Sequence, residues 1–248
     1  MEPTADVLVN PGQPGQLWVG TLGIGALVFH EGRLDHLFPS EAVSNVVRVL
    51  YRDRQGVQWL GSEFGLFSWD GSTLRPCKEA GLGHAYALAI SEDAAGHLLV
   101  GTETGDLRRR SVERWETFLP DDGLPPSRFW TLLGDSDGGI WIGTLGGGLL
   151  YFEGGKFFRF TTQQGLPNNT VSQVLDDGRG QLWLGTRAGI VRVAKVELRA
   201  IASGHQTRAN CVTYGRDDGL PTIECSGARN RTRGARRTGG YGLPPPTG

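Results

Sequence analysis

Short apolar runs and polar turns alternate along this chain with a repeating period. The string G-x-L-W-x-G-T occurs as GQLWVGT (15–21) and GQLWLGT (180–186), with relatives GVQWLGS (56–62), GHLLVGT (96–102) and GGIWIGT (138–144). Its second glycine falls at Gly20, Gly61, Gly101, Gly143 and Gly185, at spacings of 41, 40, 42 and 42. A period in this range announces a repeat architecture, in which one supersecondary unit recurs and buries its apolar face against the next copy.

Within each period the pattern predicts four short strands. Asp53, Asp93, Asp135 and Asp177 each stand three residues before a string, at Gly56, Gly96, Gly138 and Gly180. Such a D-x-x-G is a tight turn: the Asp carboxylate bonds the backbone two residues on, and the glycine takes the positive φ that lets a hairpin close. In the first repeat Gly12 holds the Asp position, which predicts a looser turn. Apolar runs such as VSQVL (171–175), WTLLG (130–134) and YALAI (86–90) precede the turn. After it, the alternation in LWLGT puts Leu182 and Leu184 on one face and Trp183 on the other, as a strand buried on both faces requires. Third strands follow at 25–29, 65–69, 148–152 and 189–193, and fourth strands at 114–118 and 156–160. Four short strands per repeat make one propeller blade. An unrelated β-sandwich would share the turns but not the Trp and Gly string at one register. The one helical pattern, Ala194–Ser203, is stopped by Gly204.

The expected fold is therefore all-β, a β-propeller of about five four-stranded blades over residues 1–225, with repeats near 7–45, 46–85, 86–127, 128–169 and 170–225. Composition agrees: 39 of 248 residues are glycine, against a usual share of about 7%. The third repeat departs most, with Leu99 for the Trp and Arg108, Arg109 and Arg110 where the third strand should be apolar.

Charge separates the body from the tail. Of 25 basic and 26 acidic residues, five arginines (Arg229, Arg231, Arg233, Arg236 and Arg237) and no acid lie in 226–248, leaving 20 basic against 26 acidic residues in the body. A net charge of −1 argues against nucleic-acid binding, and the tail arginines come without an aromatic platform. The tail's Arg, Gly and Pro content reads as disordered. A shift of reading frame near Arg237 would convert it to D-G-R-L-W-F, the start of a further repeat, so a frameshifted sixth blade is a second reading. No apolar stretch approaches the roughly 18 residues of a membrane span, and residues 1–10 lack the features of a signal peptide.

Chemical signatures are sparse. HExxH, G-x-S-x-G and P-loop patterns are missing, and the five histidines share no repeat position. No catalytic residue, metal ligand or cofactor is expected. Cys77, Cys211 and Cys225 lack metal or disulfide spacing and read as small buried apolar residues. The tryptophans Trp18, Trp59, Trp141 and Trp183 share one strand position and read as packing between blades rather than a sugar-stacking stripe. If a ligand binds, loops on a rigid scaffold are its place. The candidates at the channel face are Glu63, Glu103, Arg128, Asn168, Asn169 and Arg187.

The best copy, GLPNNTVSQVLDDGRGQLWLGTRAGIVRV (165–193), resembles the two-component regulator propeller repeat. Gly165, Leu166, Pro167, Asn169, Val171, Asp177, Gly180, Leu182, Trp183, Gly185, Thr186 and Gly189 match its pattern. The resemblance covers residues 15–225. It implies the sensor region of a bacterial histidine kinase: non-enzymatic, extracytoplasmic or periplasmic in the parent protein, and binding a small molecule or glycan. It also implies a seven-bladed ring, of which this chain would carry five, with the missing blades and signalling domains of the parent as its partners. The residues between Gly165 and Gly219, an interval longer by about 12 than its predecessor, resemble the insertion of a last blade. Two other classes remain open, a propeller enzyme of the streptogramin-lyase type and a protein-interaction scaffold.

Overall fold

The structure, a computed structural model, describes residues 6–10, 15–38, 40–111, 114–119, 124–220, 222 and 225. The looser first turn expected at Gly12 and both readings of the tail, disordered or frameshifted, fall outside these residues.

Five antiparallel four-stranded sheets follow one another along the chain, each a simple meander. Blade 1 holds β1 (Asp6–Asn10), β2 (Gln16–Gly20), β3 (Ala26–His30) and β4 (Arg33–His36). A short helix, α1 (Ser40–Val43), leads to blade 2, built from β5 (Val47–Arg52), β6 (Gln58–Ser62), β7 (Gly65–Trp69) and β8 (Leu74–Pro76). Blade 3 comprises β9 (Ala87–Glu92), β10 (Leu98–Thr102), β11 (Leu107–Arg110) and β12 (Trp115–Phe118). Blade 4 comprises β13 (Phe129–Gly134), β14 (Ile140–Thr144), β15 (Leu149–Glu153) and β16 (Lys156–Phe160). In blade 5, β17 (Val171–Asp176), β18 (Gln181–Thr186) and β19 (Gly189–Ala194) are followed by helix α2 (Lys195–Ala202) before β20 (Val212–Tyr214). The interval that was longer in sequence thus inserts a helix between a blade's third and fourth strands.

The first strands β1, β5, β9, β13 and β17 pack side by side, and the sheets fan outward from them. Four apolar clusters fill the four joints between consecutive blades. Each joint uses the same two faces. The leading face of one blade, carrying its Trp, meets the trailing face of the next: Trp18 lies with Val47, Leu50 and Leu60, and Trp141 with Val171, Val174, Leu182 and Leu184. Trp18, Trp59 and Trp141 are 2%, 3% and 0% exposed, so the shared tryptophan position is core. Among the described residues, blades 1 and 5 share no comparable packing.

The D-x-x-G turn has a second purpose. Gly56, Gly96 and Gly138 donate their N–H to the carbonyl of the Asp three residues back, at 3.0, 3.0 and 3.1 Å, and have the positive φ the turn needs. The Asp carboxylate then accepts the indole N–H of the same blade's Trp: Trp59 to Asp53 at 2.8 Å and Trp141 to Asp135 at 2.7 Å. A buried indole N–H needs an acceptor, and the turn supplies it. In blade 3 the sheet forms fully despite Leu99, because Asp93 takes His97 Nδ1 and Arg109 instead, both at 2.9 Å. The third-strand arginines fit because Arg110 lies over the Trp59 ring of blade 2, 5.5 Å from its centre.

Helix α2 clamps blade 5 to blade 4. Lys195 Nζ bonds Asp135 Oδ1 at 3.1 Å and Asp176 Oδ2 at 2.9 Å, while Arg199 reaches Asp135 at 2.8 Å and Asp137 at 2.6 Å. Burial alone would raise the pKa of Asp135, but the Trp141 N–H and the Lys195 ammonium outweigh it and leave the pKa lowered. Of the three cysteines, Cys77 is buried, and burial pushes its thiol up to about 12. Cys211 and Cys225 are half-buried, Cys211 at the margin of the apolar cluster between blades 4 and 5.

Candidate functional site

The G-T pair that ends each second strand builds one rim of the molecule. The hydroxyls of Thr21, Ser62, Thr144 and Thr186 are buried and donate to the carbonyls of Gly25, Gly65, Gly148 and Gly189, at 2.8, 3.3, 2.7 and 2.8 Å. These hydroxyls are turn chemistry, already committed to the backbone. The residue after each of them is free to face outward. Its backbone N–H ties it to the residue that enters the inner strand: Glu63 to Val46, Glu103 to Tyr86 and Leu145 to Arg128, at 3.4, 3.0 and 3.0 Å. Blades 2, 3 and 4 therefore each offer the inner rim two side chains at fixed places.

Blades 2 to 4 fill those places with charge. Glu103 and Arg128, on neighbouring blades, form an ion pair at 2.5 Å, and Glu63 accepts from the Ser44 hydroxyl at 3.3 Å. Tyr86 sits among them. Its pKa is raised, first by burial and further by Glu63 and Glu103, against the opposing pull of Arg48 and Arg128. A carboxylate, a guanidinium and a phenol from three blades thus share one site.

A second layer comes from the inner strands themselves. The pairing of β5, β9, β13 and β17 skips one residue at the same point in each, leaving Arg48, Leu88, Trp130 and Ser172 unmatched. These are β-bulges, which re-aim a side chain away from both faces of its sheet. The Arg48 guanidinium consequently lies over the Trp130 ring, 5.3 Å from its centre, although blade 3 stands between their blades in sequence order.

The six residues expected at this face divide into three sets. Glu63, Glu103 and Arg128 are brought together around Tyr86. Asn168 and Asn169 serve the approach to blade 5: their side-chain oxygens accept from Thr170 N at 2.7 Å and Thr162 N at 2.9 Å. Arg187 is exposed at the corresponding rim place of blade 5. Arg48, Tyr86 and Trp130 were not anticipated. The one available signal was a cation inside an apolar run, Arg48 between Val47 and Val49.

A separate cavity of about 510 Å³ opens at the outer edge between blades 3 and 4, lined by Arg109, Arg114, Trp115, Glu116, Phe118 and Phe152 among others. Its cations already have partners, Arg109 in Asp93 and Arg114 in Glu116. Among the described residues, no group of three or more His, Cys, Asp or Glu is placed to hold a metal ion.

Comparison with known proteins gives two kinds of result. The two component regulator propeller profile matches residues 123–146 and 165–188. Among solved structures, the extracellular domain of the proposed hybrid two component system BT3049 from B. thetaiotaomicron superposes with a TM-score of 0.64 at 20% identity, over 93% of this chain and 36% of that one. The extracellular domain of the proposed one component system BT4673 from the same organism gives 0.55 at 14%, over 84% and 34%. Virginiamycin B lyase from Staphylococcus aureus gives 0.63 at 12%, over 89% and 72%. At such identities these likenesses establish the propeller fold. This chain spans about a third of the length of those two extracellular domains. No protein of curated description matches the sequence.

Proposed function

We propose that this chain, which carries two-component regulator propeller repeats, is the sensory part of a bacterial two-component signalling protein and acts by binding rather than by catalysis. The observation that carries the reading is the charged and aromatic rim of blades 2 to 4, in a chain whose blades 4 and 5 carry the matched repeats of that family. Arg48, Tyr86, Glu103, Arg128 and Trp130 offer a polar ligand of small-molecule or glycan type both signs of charge, a hydroxyl and a ring face. In the parent protein the propeller stands outside the cytoplasmic membrane, and a ligand biases the kinase by binding one of its states better than the other. The likeness to the B. thetaiotaomicron extracellular domains supports that location.

The test is a calorimetric screen of the full chain against saccharides and small polar metabolites, repeated with Arg48→Ala and Tyr86→Phe. The expected result is one ligand class whose affinity falls at least about tenfold in both variants, with product analysis showing the ligand unchanged. Binding indifferent to both substitutions would remove the rim from the reading. Turnover of the ligand would replace a sensor with an enzyme.

A further inference from the structure

The rim changes character along its arc. From blade 1 to blade 5, the place after the G-T pair holds Leu22, Glu63, Glu103, Leu145 and Arg187, and the place that enters the inner strands of blades 2 to 5 holds Val46, Tyr86, Arg128 and Thr170. Acid therefore lies on blades 2 and 3, and base on blades 4 and 5. Arg48 joins the basic side, because it leaves blade 2 but delivers its guanidinium to Trp130 of blade 4. The two halves meet where Glu103 pairs with Arg128.

Glu63 is left over on the acidic side. Its carboxylate accepts a hydrogen bond from Ser44 at 3.3 Å, and among the described residues no cation stands within ion-pair distance of it. Beside it the rim turns apolar. The buried hydroxyls of Thr21 and Ser62 accept from the N–H of Ile24 and Phe64 at 3.0 and 3.1 Å, which fixes both residues at their loop tips. Ile24 and Phe64 are 51% and 49% exposed, whereas the corresponding tips of blades 3 and 5 carry Thr104 and Ala188. In order, then, the arc presents an apolar shelf, a carboxylate without a counter-ion, and an ion pair backed by a second guanidinium.

The charges that face Tyr86, Glu63 and Glu103 against Arg48 and Arg128, sum to zero. A ligand that brings one charge of each sign keeps that balance. An amine alone would add an uncompensated positive charge and an acid alone a negative one. A neutral ring would leave Glu63 as it stands. An ammonium and a carboxylate on one carbon, with an apolar side chain, supply all three complements within a few bonds: ammonium to Glu63, carboxylate to Arg128, side chain to Phe64 and Ile24.

We propose that the rim ligand is a zwitterionic amino acid with an apolar side chain. This rests on the reading of the rim as a binding site and narrows the ligand within it. Calorimetric titration of the full chain with the proteinogenic L-amino acids tests it. Leucine is expected to bind, and its single-charge analogues 3-methylbutylamine and 4-methylpentanoate to bind at least about tenfold more weakly. Glu63→Gln, a change at an exposed loop residue, should bring leucine down to the affinity that 4-methylpentanoate has for the parent chain. Leucine binding that ignores Glu63→Gln would overturn the proposal. So would a saccharide whose binding is lost in Tyr86→Phe while no amino acid binds, a result that leaves the sensory reading standing. Failure of every ligand to depend on the rim would overturn both.

Discussion

Trp141 of blade 4 and Trp183 of blade 5 hold the same place in the same repeat, yet they live in different surroundings. Trp141 bonds a carboxylate that has no exposure, stacks on Tyr151 with ring centres 4.1 Å apart, and lies beneath blade 5. Trp183 engages the exposed Asp177 and, among the described residues, is covered by side chains of its own sheet, Tyr214 and Arg192. A repeat sequence specifies the position of a side chain; its burial is conferred by the neighbour. The two blades therefore differ in what each residue is worth, although a reader of the repeat alone would value them equally.

The widest separation is expected for the tryptophans. Trp141→Ala should cost about 4 kcal/mol in urea-melt stability, the range for a fully buried indole, and Trp183→Ala about 1. Equal costs would mean that blade 5 is covered as blade 4 is. Next comes the clamp: Lys195→Ala leaves Asp135 and Asp176 buried with one partner fewer and should cost about 3 kcal/mol. A neutral result would show that Arg199 alone holds the joint.

A smaller effect should appear at the close-approach glycines. A side-chain carbon at Gly143 would stand 2.5 Å from Thr131 and 2.6 Å from the Val171 carbonyl, whereas at Gly185 the nearest atoms, in Gln173 and Cys225, are 3.0 and 3.2 Å away. Gly143→Ala should cost about 2 kcal/mol and Gly185→Ala less than about 1.

Acid sharpens the contrast from another side. The folded pKa of Asp135 is lowered, so its contribution is complete above the ordinary carboxylate value near 4 and is lost as the pH falls through the lowered one. Acid titration of stability below about pH 4 should accordingly be steeper in the parent chain than in Asp135→Asn. The smallest change, about 0.5 kcal/mol, is expected for Arg192→Ala, which removes only the guanidinium over Trp183.

Whatever is local to one repeat could be read from the chain. The tryptophan face followed from strand alternation, the D-x-x-G turn from two residues three apart, and the helix before Gly204 from its own periodicity. Partners far apart could not be read. Lys195 meets Asp135 across 60 residues, and nothing near either announces the other. The arginines of the third strand looked like a defect because Arg109 stands in for an absent indole as the partner of Asp93. At the rim, Glu63, Glu103 and Arg128 were visible as loop charges, while Arg48 and Trp130 were hidden inside strands. A period of two leaves no room for the extra residue that turns them inward.

That extra residue gives the architecture an unusual freedom. Because the bulged place belongs to neither packed face, it accepts Arg, Leu, Trp or Ser in four consecutive blades while the scaffold around it stays constant. The codons that set the packed faces are thereby separate from the one that sets this place. A gene that duplicates such a blade inherits the structural text and one blank position beside it, and a handful of single-base changes can rewrite what the inner surface meets without renegotiating the fold.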